Sequence, residues 1–206
     1  MTAEPCLYLI RHGETAWSLS GRHTGRTDIP LTAQGEDQAR ELLPWLRPIG
    51  FARVFTSPRQ RAQRTCALAG LSAEAEIEPN LQEWDYGDYE GRQSWDIRAD
   101  RPGWNVFEDG CPGGETPDQI ATRADRLIEK LCTVDGNVAL FSHGEFGQAL
   151  TARWIGLRVA DGQHFLLATA SLGILSTNPA HPGVRVIALW NASPGHHQLF
   201  RSGTTG

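Results

Sequence analysis

The chain has 206 residues, 40% of them hydrophobic, which suits a single domain spanning 1–206 with a sizeable core and room for one insertion. Nineteen basic against 24 acidic residues leave a net charge of −5, without the electrostatic footing that nucleic-acid binding requires. Lys130 is the sole lysine and follows no glycine-rich loop, which excludes a P-loop nucleotide cradle and leaves little prospect of a Schiff-base lysine.

Cys6 to Ile10 is an apolar run ended by Arg11-His12-Gly13, the pattern of a buried strand that hands the chain to a loop. Thr32 caps a helix carrying Ala39, Leu42, Leu43 and Leu46 on one face, shortened or kinked at Pro44. Arg53 to Thr56 predicts a short strand, followed by a helix with Ser57 as N-cap and Pro58 in its first turn, running to Gly70. Glu76 to Glu78 predicts a weak strand. Residues 84–116 break the rhythm: glycines and Trp84, Tyr86, Tyr89, Trp95, Trp104 and Phe107 accompany a local net charge of −5, which reads as a lid insertion packing a small satellite core. Trp84 and Tyr86 are its expected substrate contacts. Thr116-Pro117 starts a helix buried along Ile120, Ala124, Leu127, Ile128 and Leu131. Asn137 to Ser142 is a strand that stops at His143-Gly144, and a helix follows to Gly156. Phe165 to Ala168, Leu172 to Ser176 and Val184 to Trp190 predict three more strands, ahead of a polar tail over 194–206 that contains His196-His197. The alternation implies an α/β fold, three-layer α/β/α about a mainly parallel sheet, with ligands beyond the carboxyl ends of the strands.

Four separated cysteines, no export signal and no apolar run of membrane length predict a cytoplasmic protein with reduced thiols. An antiparallel edge among the late strands offers a homodimer surface, although no sequence feature demands one.

Two strands ending in His-Gly set His12 and His143 at one mouth, with Arg11 beside the first and Arg61 one turn into the helix after Ser57. That set, with a helix N-terminus, receives a small dianion rather than a metal, and Arg59 and Arg64 are expected at the surface. A phosphate offset by guanidinium groups is open to in-line attack by a neutral imidazole. His12 is the expected nucleophile, with His143 and the arginines on the equatorial oxygens. The leaving oxygen needs a proton, for which Glu83, raised by aromatic burial, is the best candidate; Glu14 is expected to orient Arg11 instead.

Arg11 to Thr15 (RHGET), Gly21 to Thr32 (GRHTGRTDIPLT), Ser57 to Thr65 (SPRQRAQRT), Leu81 to Gly91 (LQEWDYGDYEG) and Ser142 to Gly144 (SHG) resemble the histidine phosphatase superfamily, the phosphoglycerate mutase-like proteins. The resemblance implies that fold, a phosphorylated His12, a phosphate pocket completed by Arg11, Arg61 and His143, and Glu83 as proton donor. It also implies substrate contacts at Ser18, Thr24, Gly25, Ser57, Tyr86 and Gly144, with no metal and no cofactor. The lid blocks are similar to the branch containing sedoheptulose-1,7-bisphosphatase and mycobacterial acid phosphatases. The sequence departs from it at Glu145 and Gln148, where a histidine and an arginine are frequent, which weakens a grip on a second phosphate. The leading expectation is therefore a metal-independent phosphatase acting on small phosphorylated metabolites. A sugar bisphosphatase and a phosphoglycerate mutase are the alternatives, and a non-catalytic phosphate-binding module is the remote one. The acidic lid favours hydrolysis over a mutase, which must keep its phosphohistidine dry.

Overall fold

The computed structural model describes residues 4–194, and the tail with His196-His197 lies outside them. Six strands form one mixed sheet: β1 (Cys6–Arg11), β2 (Phe51–Thr56), β3 (Ala75–Ile77), β4 (Asn137–Ser142), β5 (Leu172–Thr177) and β6 (Arg185–Ala192). Their spatial order is β3-β2-β4-β1-β5-β6. The first four run parallel, whereas β5 and β6 add an antiparallel flank.

Helices cover both faces because the strand residues alternate between two apolar sets. Leu7, Leu9, Val138 and Leu140 face α7 (Pro117–Leu131) and α8 (Gly144–Trp154). Ile10, Val54, Ala139 and Phe141 face α2 (Ala33–Glu41), α3 (Leu43–Leu46) and α4 (Gln60–Leu68). The Thr32 and Thr116 caps form as expected, each hydroxyl accepting the N3 amide. The chain does not run straight through Pro44; α2 ends at Leu42 and α3 resumes with Pro44 in its first turn, so Leu42 and Leu46 are buried while Leu43 is partly exposed.

Three expectations are corrected. Phe165 to Ala168 is not a strand, because both edges of β1 are already paired, with β4 and β5. Ser57 is not the cap of α4: that helix begins at Gln60, whose amide donates to Asp28 Oδ1 at 2.9 Å. The lid packs no separate satellite core. Its α5 (Ser94–Asp100) and α6 (Val106–Asp109) contribute Ile97, Val106 and Phe107 to the cluster that also holds Trp84, Trp104, α7 and α8.

Because that cluster is continuous, Trp104→Ala is expected to lower the unfolding free energy of the whole chain by about 3–5 kcal/mol. The measurement is a denaturant titration followed by two probes. A shift of one common transition is expected; a lid transition separate from an unchanged main one would contradict the continuity.

Candidate active site

Parallel pairing fixes the centre of the site. Arg11 of β1 stands opposite Ser142 of β4, and Thr56 of β2 opposite Phe141. The next residues, His12, His143 and Ser57, therefore emerge side by side; His12 N–H donates to Ser142 O at 3.0 Å and Ser57 N–H to Phe141 O at 2.9 Å. The two imidazole centroids lie 5.2 Å apart. Gly13 then presses against the start of α2, where a Cβ would fall 2.3 Å from Gly35 O, so the turn after His12 tolerates no side chain.

Hydrogen bonds assign each ring. His12 Nδ1 lies 2.7 Å from Gly13 O, which requires Nδ1 to carry the proton and leaves Nε2 with its lone pair. Arg61 Nε donates to His143 Nδ1 at 3.2 Å, so His143 is protonated on Nε2, which donates to Ser57 Oγ at 2.7 Å. Burial, then the charges of Arg61 and Arg11, hold His12 well below the ordinary imidazole value, against the pull of the Gly13 carbonyl. Burial, Arg61, His12 and Arg11 do the same to His143. Both rings are neutral near neutrality.

Arg61 is fully buried, and its other bonds go to the carbonyls of Thr24, Gly25 and Thr27. Arg11 Nη1 donates to Leu167 O at 2.6 Å, and its buried Nε has no partner among the described residues. Gly144 makes room for this guanidinium: a Cβ there would sit 3.1 Å from Arg11 Cζ.

Glu83 lies on the loop before the lid, beside the N-terminus of α8. Its Oε1 accepts from the Trp84 and Phe146 amides at 2.8 Å each, and its Oε2 from the Glu145 amide at 3.2 Å. Arg123 of α7 anchors the loop by donating to the carbonyls of Asn80, Gln82 and Glu83, while Ser142 Oγ donates to Leu81 O. Burial and the Glu145 charge raise the Glu83 carboxyl to about 8, against the Trp84 and Phe146 amides and Arg11.

A cavity of about 160 Å³ brings together Arg11, His12, Glu83, Tyr86, Ser18 and Thr24. Its walls also include Arg22, His23, Ser94 and Glu145. Arg61, His143 and Ser57 are fully buried and do not line it, and Gly25 belongs to the neighbouring cleft, where its carbonyl holds Arg61. The larger groove of about 630 Å³ between α4 and β3 contains none of these reactive groups.

Several expected positions are corrected. Trp84 is fully buried, with its indole N–H on Glu115 O, and does not line the cavity. Glu14 accepts from Thr32 Oγ1 at 2.8 Å instead of orienting Arg11. Gln148 is buried in α8 away from the cavity, so only Glu145 of that pair faces a ligand. Arg64 is exposed on Glu36 as expected, but Arg59 is half-buried and donates to Gln82. His23, which lines the cavity, is a further residue of the site. It stacks 4.6 Å from Tyr86 and bonds Ser94, and the GRHTG stretch that carries it was the available signal.

The raised Glu83 carboxyl has a thermodynamic consequence. It keeps its proton in the folded chain while the unfolded chain, near 4.5, loses it, so its contribution is full below 4.5 and declines as pH rises toward about 8. Glu83→Gln, which has no charge to bury, is expected to gain stability over the wild type between pH 5 and pH 8. Urea midpoints at both values check this, and a pH-independent difference would contradict it.

The model of the histidine phosphatase superfamily, branch 1, matches residues 7–192. The chain is 42% identical over 204 residues to an acid phosphatase of Mycobacterium tuberculosis, covering 96% of this chain and 97% of that protein. It is 36% identical over 188 residues to a sedoheptulose 1,7-bisphosphatase of Saccharomyces cerevisiae, covering 75% and 69% of the two. Among solved structures, the open reading frame Rv3214 of M. tuberculosis superposes with a TM-score of 0.84 at 40% identity, over 91% of this chain and 97% of that one. A mycobacterial glucosyl-3-phosphoglycerate phosphatase superposes with a TM-score of 0.79 at 27% identity, over 93% and 100%. On the family match and these relatives, the protein belongs to the histidine phosphatase superfamily and is a phosphatase.

Proposed function

We propose that the protein hydrolyses phosphomonoesters of small metabolites through a phosphohistidine on His12, with Glu83 as proton donor. One observation carries the reading: the unprotonated Nε2 of His12 and the protonated Glu83 carboxyl line the same small cavity as the Arg11 guanidinium. The phosphate dianion is placed against Arg11, whose buried Nε lacks a partner among the described residues, with the charge of the fully buried Arg61 behind the cavity lining. The two guanidinium charges offset that of the phosphate, while neutral His143 holds Arg61 Nε.

His12 Nε2 forms a bond to phosphorus as the ester P–O bond breaks, and its electron pair leaves on the substrate oxygen. That oxygen takes the proton from Glu83, so the alcohol departs neutral. The Glu83 carboxylate then removes a proton from water as the water oxygen bonds to phosphorus and the P–N bond breaks. Inorganic phosphate forms, and Glu83 regains its proton. The three non-bridging oxygens of the transferring group carry the developing charge, which the same guanidinium groups offset throughout.

Glu145 favours a monoester over a bisphosphate. Its carboxylate lines the cavity, so a second phosphate on the alcohol half meets a like charge. The lowered His12 value keeps the nucleophile neutral into mildly acidic solution.

The test is phosphate release in EDTA at pH about 5 and 7 from p-nitrophenyl phosphate, 3-phosphoglycerate, fructose-1,6-bisphosphate and sedoheptulose-1,7-bisphosphate. Simple monoesters are expected to turn over, with an acid-labile phosphoenzyme in the wild type and neither turnover nor phosphoenzyme in His12→Ala. Isomerisation of 3-phosphoglycerate with little phosphate release would replace hydrolysis by a mutase reaction. Binding without turnover in the wild type would point to a phosphate-binding module.

A further inference from the structure

We propose that Glu145 is a positioning residue that shares the Glu83 proton, holding it on the oxygen that faces the substrate until a leaving group arrives. The inference rests on Glu83 acting as the acid.

The hydrogen-bond geometry leaves little choice of site for the proton. Glu83 Oε1 accepts two backbone amides, from Trp84 and Phe146, which occupy both its lone pairs. Oε2 accepts only the longer contact from the Glu145 amide, so the acidic hydrogen resides on Oε2. The Glu145 side chain starts from that same amide and returns to the cavity, where it faces both the Glu83 carboxyl and the Tyr86 hydroxyl. The three side chains line the same cavity, so the Glu145 carboxylate interacts with both the Glu83 carboxyl and the Tyr86 hydroxyl.

The surrounding charges explain why these two acids take opposite states. Glu83 faces Arg11 at the end of β1, Arg61 on α4 and the Arg123 guanidinium on α7, all of which favour its carboxylate, as does the N-terminus of α8. Burial and Glu145 outweigh them. Burial also opposes ionisation of Glu145, but His23 where acid protonates it, Arg11 and the hydrogen bond with Glu83 hold its carboxyl below the ordinary value. The remaining neighbours leave that balance in place. His12, His143 and His23 are depressed, Tyr86 is raised, and the Cys111 thiol is pushed up to about 12, so all are neutral near pH 7. Arg22 lines the open side of the cavity. On the outer side of Glu83, Asp85 pairs with Arg26, Glu115 with Arg123, and Arg59 bonds Gln82. Glu90 is engaged by the Gly25 and Thr27 amides.

The pair therefore acts as one proton held between two carboxyl groups, with Glu145 as the ionised member. When a phosphoester binds, Oε2–H turns from Glu145 to the ester oxygen, and no proton enters or leaves the cavity.

The experiment compares kcat/KM from pH 4.5 to 9 for wild type, Glu145→Gln and Glu83→Gln, using an alkyl phosphate, which needs the proton, and p-nitrophenyl phosphate, which needs it less. For Glu145→Gln the alkaline limb with the alkyl phosphate is expected to move down by about one pH unit, a roughly tenfold loss above the limb that recovers near pH 5. In the same variant the carboxylic-acid infrared carbonyl band should titrate away about one pH unit below its wild-type midpoint. Glu145→Ala gives a second limb reading should the glutamine variant fold poorly. An unmoved limb and an unmoved band in either folded variant overturn the inference. Glu83→Gln keeps the two claims apart: it should lose about 10²–10⁴-fold on the alkyl phosphate. Full activity there defeats the proton-donor reading itself, whereas a dead Glu83→Gln beside an unshifted Glu145→Gln defeats only the role of Glu145.

Discussion

The buried Arg61 guanidinium is the joint on which the site is built. A buried charge without partners costs several kcal/mol, and Arg61 is fully enclosed. Its hydrogen bonds go to the carbonyls of Thr24, Gly25 and Thr27 and to His143 Nδ1. These acceptors are neutral. They satisfy the N–H groups while leaving the positive charge uncancelled for an anion above. One side chain thereby ties the 24–27 loop to α4 and fixes the tautomer of a histidine at the end of β4. The loop is secured from its other side by Glu90, whose carboxylate takes the Gly25 and Thr27 amides.

The strand-end histidines were legible in the sequence because their placement follows from local pattern plus one topological rule. An apolar run that stops at His-Gly puts a histidine beyond a strand, and adjacent parallel strands put both at one edge of the sheet. What sequence could not supply was competition between distant groups. Ser57 has the composition of an N-cap, yet His143 Nε2 claims its hydroxyl across 86 residues, while the α4 amide goes to Asp28. Phe165 to Ala168 has the composition of a strand, but the sheet has no free edge beside β1, and Leu167 instead offers its carbonyl to Arg11. Glu14 lies close to Arg11 in sequence, whereas its carboxylate turns to Thr32. Arg123, which holds the Glu83 loop, carries no local signal because it sits on an ordinary amphipathic helix.

The helix termini show how far the phosphate depends on side chains. Composition suggests that α4 presents free amides to an anion, but Asp28 occupies its first turn. The other helix beside the cavity, α8, directs its Glu145 and Phe146 amides to the Glu83 carboxyl. Both helix ends are thus filled by the chain's own carboxyl groups. The positive charge left to meet a phosphate is that of Arg11 and Arg61, which explains the close fit of Gly144 against the Arg11 guanidinium. A Cβ there would move a charge rather than merely fill space.

Burial acts on the two reactive groups in opposite chemical senses with one electrical result. It lowers the proton affinity of His12 and raises that of Glu83, so both are neutral when the site is empty of substrate. In the low-dielectric cavity, uncharged reactants avoid competing with the arginines for the incoming dianion, and the proton needed by the leaving oxygen is already present. In the proposed reaction, loss of that proton would create a buried carboxylate next to the Glu145 charge, which would make Glu83 a stronger base for the water that follows. On the proposed mechanism, the environment that supplies the acid in the first half of the cycle therefore supplies the base in the second.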